Sequence, residues 1–397
     1  MNVDQSGPFV PPTSQQSRNR RPESPHRLSK LTKIDRCDFS DGVEEDEEEE
    51  RESVETNMSS NPRIQRYLVA VEYIGTRFSG AQKQPTDRTV VGVLEDAFQK
   101  FIGHPISIFC SSRTDAGVHA ISNVCHVDIE RTSKRKPGEV LPPHEPYVVK
   151  RAVNHFLQKN EGDMMVIDVQ CVPSDFHARY KAQERTYFYR ILSGKEPLST
   201  FEKGRAWHVP EELDGVAMQK ACQVLVGHHD FSSFRSAGCQ AKSPIRTLEE
   251  LTVMEVASSP YFPSLLEREQ SNHTTVDATS ISNRSGTGCP CIAGQSNMTI
   301  ENFGGGAIQG FGMRKRHRCF VVTARARSFL YHQVRLLVGV LKAVGTSDLA
   351  ISDVERILKA KSVSAASPMA PAHGLYLGHV KYDLPPNICD PTADASC

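Results

Sequence analysis

One order of strands and helices occurs twice along this chain and constrains its fold more than any other feature. Hydrophobic residues alternate in some segments, as in strands, and recur every three or four positions in others, as in helices. Between residues 67 and 171 this pattern predicts the order β-α-β-β-α-β, with elements at 67–73, 91–101, 106–110, 124–129, 149–157 and 164–171. The order recurs in elements at 186–192, 214–226, 248–256, 319–326, 331–344 and 375–382, with an extra helix at 351–360.

This order of elements is that of the ferredoxin-like unit. We therefore predict an α+β fold, with two ferredoxin-like (β-α-β-β-α-β) halves in a pseudo-two-fold arrangement around a central cleft. The N-terminal half is expected at 61–175 and the C-terminal half at 176–385. In the helix at 214–226, Val216, Cys222 and Leu225 are expected to face the core.

Three segments lie outside the repeated pattern. Residues 1–60 hold 14 acidic and 8 basic residues and few apolar ones, so we expect a disordered acidic tail. The Gly- and Ser-rich stretch 257–313 lies between two predicted strands and indicates a disordered insertion, and 386–397 is expected to be a second tail. Of the 47 basic and 47 acidic residues, 39 and 33 lie outside the first tail, a net of +6. This balance suits a polyanionic partner, and an ordinary soluble enzyme equally well.

Composition argues against several protein classes. The eleven cysteines include no C-x-x-C pair, so neither a disulfide scaffold nor a zinc finger is expected. No run of 18 apolar residues occurs, and we expect no membrane span. The N-terminus lacks an apolar signal region, so we expect an intracellular protein that is not secreted. The Arg-, Ser- and Pro-rich segment 5–34 favours the mitochondrion, while the cytoplasm and the nucleus stay open.

The densest group of polar side chains follows a predicted strand, at residues 111–119 (SSRTDAGVH). Asp115 lies there between Arg113 and Gly117, so a tight turn would hold a carboxylate beside a fixed positive charge. Such a carboxylate can act as a nucleophile or as an electrostatic stabiliser. On spacing alone the more common alternative is a turn whose aspartate caps its own backbone. His119 is interpreted as structural, because nothing nearby marks it as a proton-transfer partner.

Two further residues stand out by their position in predicted elements. Arg335 lies in a mostly apolar helix, where a buried guanidinium needs a partner. Tyr187 lies on a predicted strand, and an ordinary core aromatic residue is its simplest interpretation. Tyr189, two residues further along the same strand, is expected on the same face.

These residues belong to a series of motifs that resembles the tRNA pseudouridine synthase A family. The resemblance runs from about residue 67 to 382 without the insertion, and its details look closest to the animal tRNA pseudouridine synthase-like branch. It is carried by residues 111–120 (SSRTDAGVHA), 173–179 (PSDFHAR), 185–190 (RTYFYR), 227–234 (GHHDFSSF), 329–339 (FLYHQVRLLVG) and 372–377 (AHGLYL). The chain departs from the family at 80–84 (GAQKQ), where an aromatic residue is common at the position of Ala81.

The resemblance implies that the cleft is basic and catalytic, and that the protein isomerises uridine to pseudouridine in tRNA or other structured RNA without a cofactor or metal. Asp115 would be the nucleophile, attacking the ribose C1′ or removing a ribose proton. Tyr187 would stack on the uracil, Arg335 would pair with Asp115, and Arg113 would move with the flipped base or contact phosphate. Bacterial members of the family are homodimers, so a homodimer is one expected assembly.

A function of another class stays open, that of a catalytically silent RNA-binding protein with the same fold. A silent protein would be free to lose its nucleophile, whereas this chain has Asp115, Tyr187 and Arg335 together, which favours the enzyme. A metal-dependent nuclease or deaminase would need paired acids or a zinc signature, and the sequence of the core has neither. Basic residues are concentrated at 131–136, 150–151 and 314–318. These runs have two interpretations, as contacts to an RNA backbone or as solvated surface charge.

Overall fold

The computed structural model describes residues 63–384 apart from 134, 137, 160, 257–316 and 367. The expected tails at 1–60 and 386–397 and the insertion at 257–313 lie outside the described residues. The strands are β1 (Ile64–Tyr73), β2 (Ile108–Cys110), β3 (His119–Glu130), β4 (Met164–Val172), β5 (Glu184–Ser193), β6 (Trp207–Val209), β7 (Gly227–Asp230), β8 (Ile245–Val256), β9 (Arg318–Ala326) and β10 (Leu375–Lys381). The helices are α1 (Val90–Ile102), α2 (Pro146–Gln158), α3 (Gly215–Leu225), α4 (Gln333–Gly345) and α5 (Ile351–Ala360).

All ten described strands form one sheet, in the order β4-β1-β3-β10-β5-β9-β8-β7, with β2 paired to β3 and β6 paired to β5. The strands of the first predicted unit therefore run β4-β1-β3-β2, and those of the second run β10-β5-β9-β8, which is the same order. The units join where β10 pairs in parallel with β3, with Tyr376 opposite His119 and Leu377 opposite Ala120. The predicted α+β class is confirmed. The pseudo-two-fold relation between the halves stays a prediction.

The apolar core has two main parts among the described residues. The first includes Leu94 and Phe98 of α1 and Val153 of α2, packed with β1, β3 and β4. The second includes Leu337 of α4, packed with α3, β8 and β9. Strand β10 contributes Leu377 to the first part and Leu375 to the second. Residues beside β10 are therefore close to both parts of the core.

The starts of α1 and α3 follow from their capping residues. Thr89 accepts a hydrogen bond from the Gly92 amide at 3.2 Å, and Asp214 accepts one from the Val216 amide at 2.9 Å. The prediction that Val216 faces the core is wrong, because its side chain is 66% exposed. The buried face of α3 consists of Met218, Ala221, Cys222 and Leu225. A residue two positions before 218 lies on the opposite side of a helix.

Two element boundaries near the site differ from the predicted ones. Strand β3 begins at His119, five residues before the predicted start, since its first residues pair with β1 and β10. Helix α4 begins at Gln333, because His332 has a φ of 64° and lies in the left-handed region. Strand β6 (WHV) has only three residues and strand β7 (GHHD) is polar, so neither has a hydrophobic alternation long enough to predict a strand. Within the described ranges, no helix is long and apolar enough to cross a membrane.

Candidate active site

The loop from β2 to β3, residues 111–118, carries Asp115. At its start, Nδ2 of the fully buried Asn123 donates to the Ser112 carbonyl at 3.1 Å. Further along, the Val118 amide donates to the Asp115 carbonyl at 3.1 Å and closes a turn. A fully buried amide side chain with its hydrogen bonds made holds the backbone in place, so the position of Asp115 is set by the first residues of β3.

Thr114, directly before Asp115, ties the loop to two other segments. The Tyr73 hydroxyl lies 2.7 Å from Thr114 Oγ1, and burial raises the pKa of Tyr73 well above its usual value, so that this hydroxyl stays neutral. The Ala81 amide donates to the Thr114 carbonyl at 2.9 Å. Gly80 has a φ of 103°, and a Cβ there would lie 3.3 Å from the same carbonyl oxygen. Glycine at this position allows both the left-handed backbone and the close approach.

The Asp115 carboxylate lies between two basic side chains that belong to the start of α4. Arg335 Nη1 donates to Asp115 Oδ2 at 3.4 Å, and His332 Nε2 lies 3.2 Å from the same oxygen. The three side chains are between 11% and 19% exposed. At such partial burial the positive charge of Arg335 offsets part of the cost of removing the carboxylate from water. The structure thus brings together Asp115 and Arg335, two of the charged residues that the sequence singles out.

His332 is a contact of Asp115 that the sequence analysis does not identify. Its Nδ1 lies 2.7 Å from Ser236 Oγ, and its ring stacks on Tyr331 with a centroid distance of 3.7 Å. In a neutral ring with the proton on Nε2, His332 donates to the carboxylate and accepts the Ser236 hydroxyl proton. The available signal was its place in the motif 329–339 that also contains Arg335, because helical spacing does not apply to a residue with a left-handed backbone outside the helix.

The guanidinium of Arg335 is fixed from a second direction. Its Nε donates to the Ala370 carbonyl at 2.8 Å, and the Ala370 amide donates to the Arg335 carbonyl at 3.1 Å. A Cβ on Gly339, one turn further along α4, would lie 2.2 Å from the Pro368 carbonyl oxygen. Only glycine lets this segment approach the helix so closely. Arg335 is therefore held by the segment that precedes β10.

Tyr187 lines the same cavity as Asp115, with a volume of about 100 Å³. Its ring meets Phe329 edge to face, at a centroid distance of 5.2 Å and an angle of 87°. Phe329 also lines the cavity and was not singled out from the sequence. Tyr189, on the same strand, is fully buried and donates its hydroxyl proton to the Pro371 carbonyl at 2.7 Å. Tyr189 is thus a core residue, and Tyr187 is the tyrosine of β5 that faces Asp115.

Besides Arg335, the Asp115 cavity is lined by further arginines, among them Arg113 and Arg185, which lie in family motifs. Arg185, on β5, donates from Nε to Ser112 Oγ at 3.1 Å and from Nη2 to the Ser111 carbonyl at 2.9 Å. Arg185 thereby holds the β2–β3 loop against the strand that carries Tyr187. It occurs in a family motif, but only these long-range contacts reveal what its side chain does.

His119 is structural, in line with the sequence interpretation. Its Nδ1 accepts a hydrogen bond from the Gly75 amide at 3.2 Å, and its ring stacks on Tyr376 at 4.5 Å. Burial lowers the pKa of His119 to about 4, so the ring is neutral at physiological pH. A neutral histidine with one nitrogen accepting from buried backbone is poorly suited to proton transfer.

Together these side chains define a class of site. A carboxylate held by two basic groups can attack an electrophilic carbon or remove a proton. Two aromatic rings beside it, Tyr187 and Phe329, can hold a flat base, and the arginines at the margin suit phosphate. An α+β fold with this arrangement of side chains has the geometry expected of a nucleotide-modifying enzyme.

Comparison with known proteins identifies the family. The sequence profile described as tRNA pseudouridine synthase matches residues 69–181 and 221–383. The chain is similar to the tRNA pseudouridine synthase A of Roseobacter denitrificans, with 34% identity over 81% of this chain and 97% of that protein. Its similarity to the enzyme of the same name from Rhodospirillum centenum is 36% over 80% of this chain and 100% of that protein. The chain belongs to the tRNA pseudouridine synthase family.

The two ranges that match the family profile include Asp115, Arg113 and Arg335, and Tyr187 lies between the two ranges. The expected membership of this family is confirmed. The two relatives named here are bacterial, so the expectation that the chain is closest to the animal branch stays a prediction.

Proposed function

We propose that this protein isomerises uridine to pseudouridine in tRNA, with Asp115 as the catalytic carboxylate. The observation that carries the proposal is the contact of Asp115 Oδ2 with Arg335 and His332 in a cavity lined by Tyr187. The relatives that match nearly their whole length are named tRNA pseudouridine synthase A. A carboxylate, an aromatic ring and basic side chains are the groups that this reaction needs.

The reaction exchanges one glycosidic bond for another. The N1–C1′ bond of uridine breaks, the uracil turns, a C5–C1′ bond forms, the proton on C5 leaves, and N1 takes up a proton. Both contacts of Asp115 described above fall on Oδ2, and in this proposal Oδ1 is the reacting oxygen. It either attacks the ribose C1′, forming a bond that breaks again when C5 bonds to C1′, or removes a ribose proton. Either route consumes no cofactor, because the product has the same atoms as the substrate.

The detached uracil has to stay in the site while it turns. Tyr187 provides a ring for stacking, and Phe329 holds that ring edge to face. In this proposal Tyr187 also assists removal of the C5 proton. Arg113 contacts the phosphate of the flipped nucleotide or moves with its base. Arg335 and His332 act on Asp115 itself and are positioning residues.

The alternative is a catalytically silent RNA-binding protein of the same fold. Such a protein would need the arginines at the margin but not the Asp115 carboxylate. The three-way contact of Asp115, His332 and Arg335 therefore favours the enzyme.

The test is release of tritium from unmodified total tRNA labelled with [5-³H]uridine. Wild-type protein should release it, and Asp115→Asn, which keeps the side-chain shape, should not. A matched control is Asp348→Asn, since the Asp348 side chain is 67% exposed and pairs with Lys342 at the end of α4. Equal release by wild type and Asp115→Asn would contradict the role of Asp115. If wild type and Asp115→Asn both bind tRNA in a salt-dependent way and neither releases tritium, the catalytically silent protein is favoured.

The proposal also covers the oligomeric state of the protein and its cellular compartment. A homodimer follows from the family resemblance, and sedimentation equilibrium of the purified chain tests it. For the compartment, the composition of segment 5–34 favours the mitochondrion, and the cytoplasm and the nucleus stay open. A fluorescent protein fused to residues 1–60 would show which of them the protein enters.

A further inference from the structure

A second cavity, with a volume of about 630 Å³, lies next to the one that contains Asp115. The two cavities share Ser112, Arg113 and Arg179 as lining residues. The second cavity is also lined by the aromatic rings of Phe109, His177 and Tyr180. We call it the stacking cavity. None of its aromatic residues has a role in the reaction described above.

The rings of the stacking cavity support one another. Phe109 is 53% exposed although it lies on a strand, and the buried ring of His126 stacks against it at 5.2 Å and 16°. His177 contacts the His126 ring at 4.5 Å and stacks on Tyr180 at 4.2 Å and 29°. Aromatic contacts of this kind hold each ring in place. Phe109, His177 and Tyr180 therefore form a preorganised aromatic surface.

The ring behind Phe109 is uncharged at neutral pH. His126 Nδ1 accepts a hydrogen bond from the Ala178 amide at 3.2 Å. Burial first, and then the charges of His177 and Arg66, lower the pKa of His126 to about 3. Because His126 is neutral, it places no positive charge behind Phe109 that would attract an anion. The exposed ring of Phe109 is therefore a flat surface suited to stacking on another aromatic ring.

Gln82 adds a polar group to the stacking cavity. It lines the cavity, and its buried Oε1 has no hydrogen-bond partner among the residues that the structure describes. A buried acceptor without a donor is unfavourable and needs an explanation. The exocyclic amino group of adenine, guanine or cytosine would supply the donor if rotation of the Gln82 side chain turned Oε1 toward the cavity.

We propose that the stacking cavity binds a second unpaired base of the RNA, next to the uridine in the Asp115 cavity, and prefers a base with an exocyclic amino group. Arg113 and Arg179, shared by both cavities, lie at the phosphate between the two nucleotides. Aromatic surfaces beside basic side chains are the common means of binding single-stranded RNA. This inference rests on the proposed function, because it assigns the neighbour of the modified nucleotide.

The first test uses the release of tritium from labelled tRNA. Loss of a stacking ring weakens binding by about 5- to 100-fold per base, so Phe109→Ala and Tyr180→Ala should lower kcat/KM by such a factor, mainly through KM. Phe109→Trp should retain the wild-type value. The matched control is Tyr147→Ala, because Tyr147 is 65% exposed and lines another cavity. Equal melting temperatures would show that the exposed Phe109 can be replaced without unfolding.

The second test does not depend on catalysis. The probe is a single-stranded pentaribonucleotide with a central uridine and the fluorescent base 2-aminopurine on its 5′ or 3′ side, bound to the Asp115→Asn protein. Stacking should quench the fluorescence at one of the two positions, and an added Phe109→Ala or Tyr180→Ala substitution should restore it. Gln82→Leu should leave the quenching but remove any preference for adenine over uracil in competing pentamers.

The outcomes separate the two proposals. Tritium release by wild type, with unchanged kcat/KM and unchanged quenching in the Phe109→Ala and Tyr180→Ala proteins, would overturn the stacking cavity and leave the proposed function intact. Quenching that depends on both rings, without tritium release by wild type, would support the cavity and contradict the proposed function. An equal loss in Tyr147→Ala would also overturn the inference, since the effect would not be specific to these rings.

Discussion

His332 and Arg335 contact the same oxygen atom, Oδ2 of Asp115, at 3.2 and 3.4 Å. The carboxylate and the arginine are 220 residues apart in the chain. The histidine reaches this oxygen from a left-handed backbone position directly before α4. The start of one helix therefore holds one oxygen of the carboxylate from two directions.

Arg335→Lys should lose most of its activity although it keeps the positive charge. A lysine ammonium does not have the planar fork that reaches both Asp115 and the Ala370 carbonyl. A lost hydrogen bond to a charged group corresponds to about 1.5–3 kcal/mol, or roughly 10- to 150-fold in kcat. Tritium release at saturating tRNA measures this change, with Lys342→Arg on the same helix as a control. A wild-type kcat for Arg335→Lys would contradict the positioning role.

Ser236→Ala should reduce activity through His332, without touching Asp115. The substitution removes the partner of His332 Nδ1, which lies 2.7 Å away. We expect a loss of about 1 kcal/mol, or roughly fivefold in kcat, because one neutral hydrogen bond is lost. In the double variant with His332→Gln, Ser236→Ala should cause no further loss. Additive losses in the two variants would show that Ser236 acts by another route.

Substitutions of Tyr187 should distinguish a stacking role of its ring from a role of its hydroxyl in proton transfer. Tyr187→Ala removes the ring and should lower kcat/KM by about 5- to 100-fold. Tyr187→Phe keeps the ring and its edge contact with Phe329, so KM should stay near the wild-type value. A fall in kcat for Tyr187→Phe would assign the hydroxyl to removal of the C5 proton, and no fall would limit Tyr187 to stacking. A wild-type kcat/KM for Tyr187→Ala would contradict both roles.

Stability should fall as the pH decreases from about 6.5 toward 4. The pKa of His119 is lowered from 6.5 to about 4 and that of His126 to about 3, in both cases mainly by burial. Below pH 6.5 the unfolded chain binds protons that the folded chain does not, so each histidine lowers the free energy of unfolding by up to about 1.4 kcal/mol per pH unit.

Urea unfolding at several pH values measures this dependence. His119→Asn keeps an acceptor near the position of Nδ1 but cannot be protonated, so its stability should decrease less steeply with falling pH. His228→Asn, at an exposed position, is the matched control and should follow the wild type. Identical slopes for all three proteins would contradict a buried neutral His119.

The sequence by itself determined the element types and three of the residues that line the Asp115 cavity. Periods of two and of three to four residues predicted the helices and long strands, since amphipathic segments have to bury one face. Asp115, Tyr187 and Arg335 were singled out by family motifs, and the structure puts all three on one cavity. Their catalytic roles stay predictions.

Only the tertiary structure decided the contacts between distant segments. His332 meets Asp115 because its backbone is left-handed, and no periodicity predicts that conformation. Arg185 and Ser236 act through hydrogen bonds to segments more than 70 residues away. Strand β10 joins the halves by a parallel pairing with β3 of only two residue pairs. Hydrophobic patterns report which face of an element is buried, whereas these contacts depend on which elements become neighbours, and that is settled by the packing of the whole sheet.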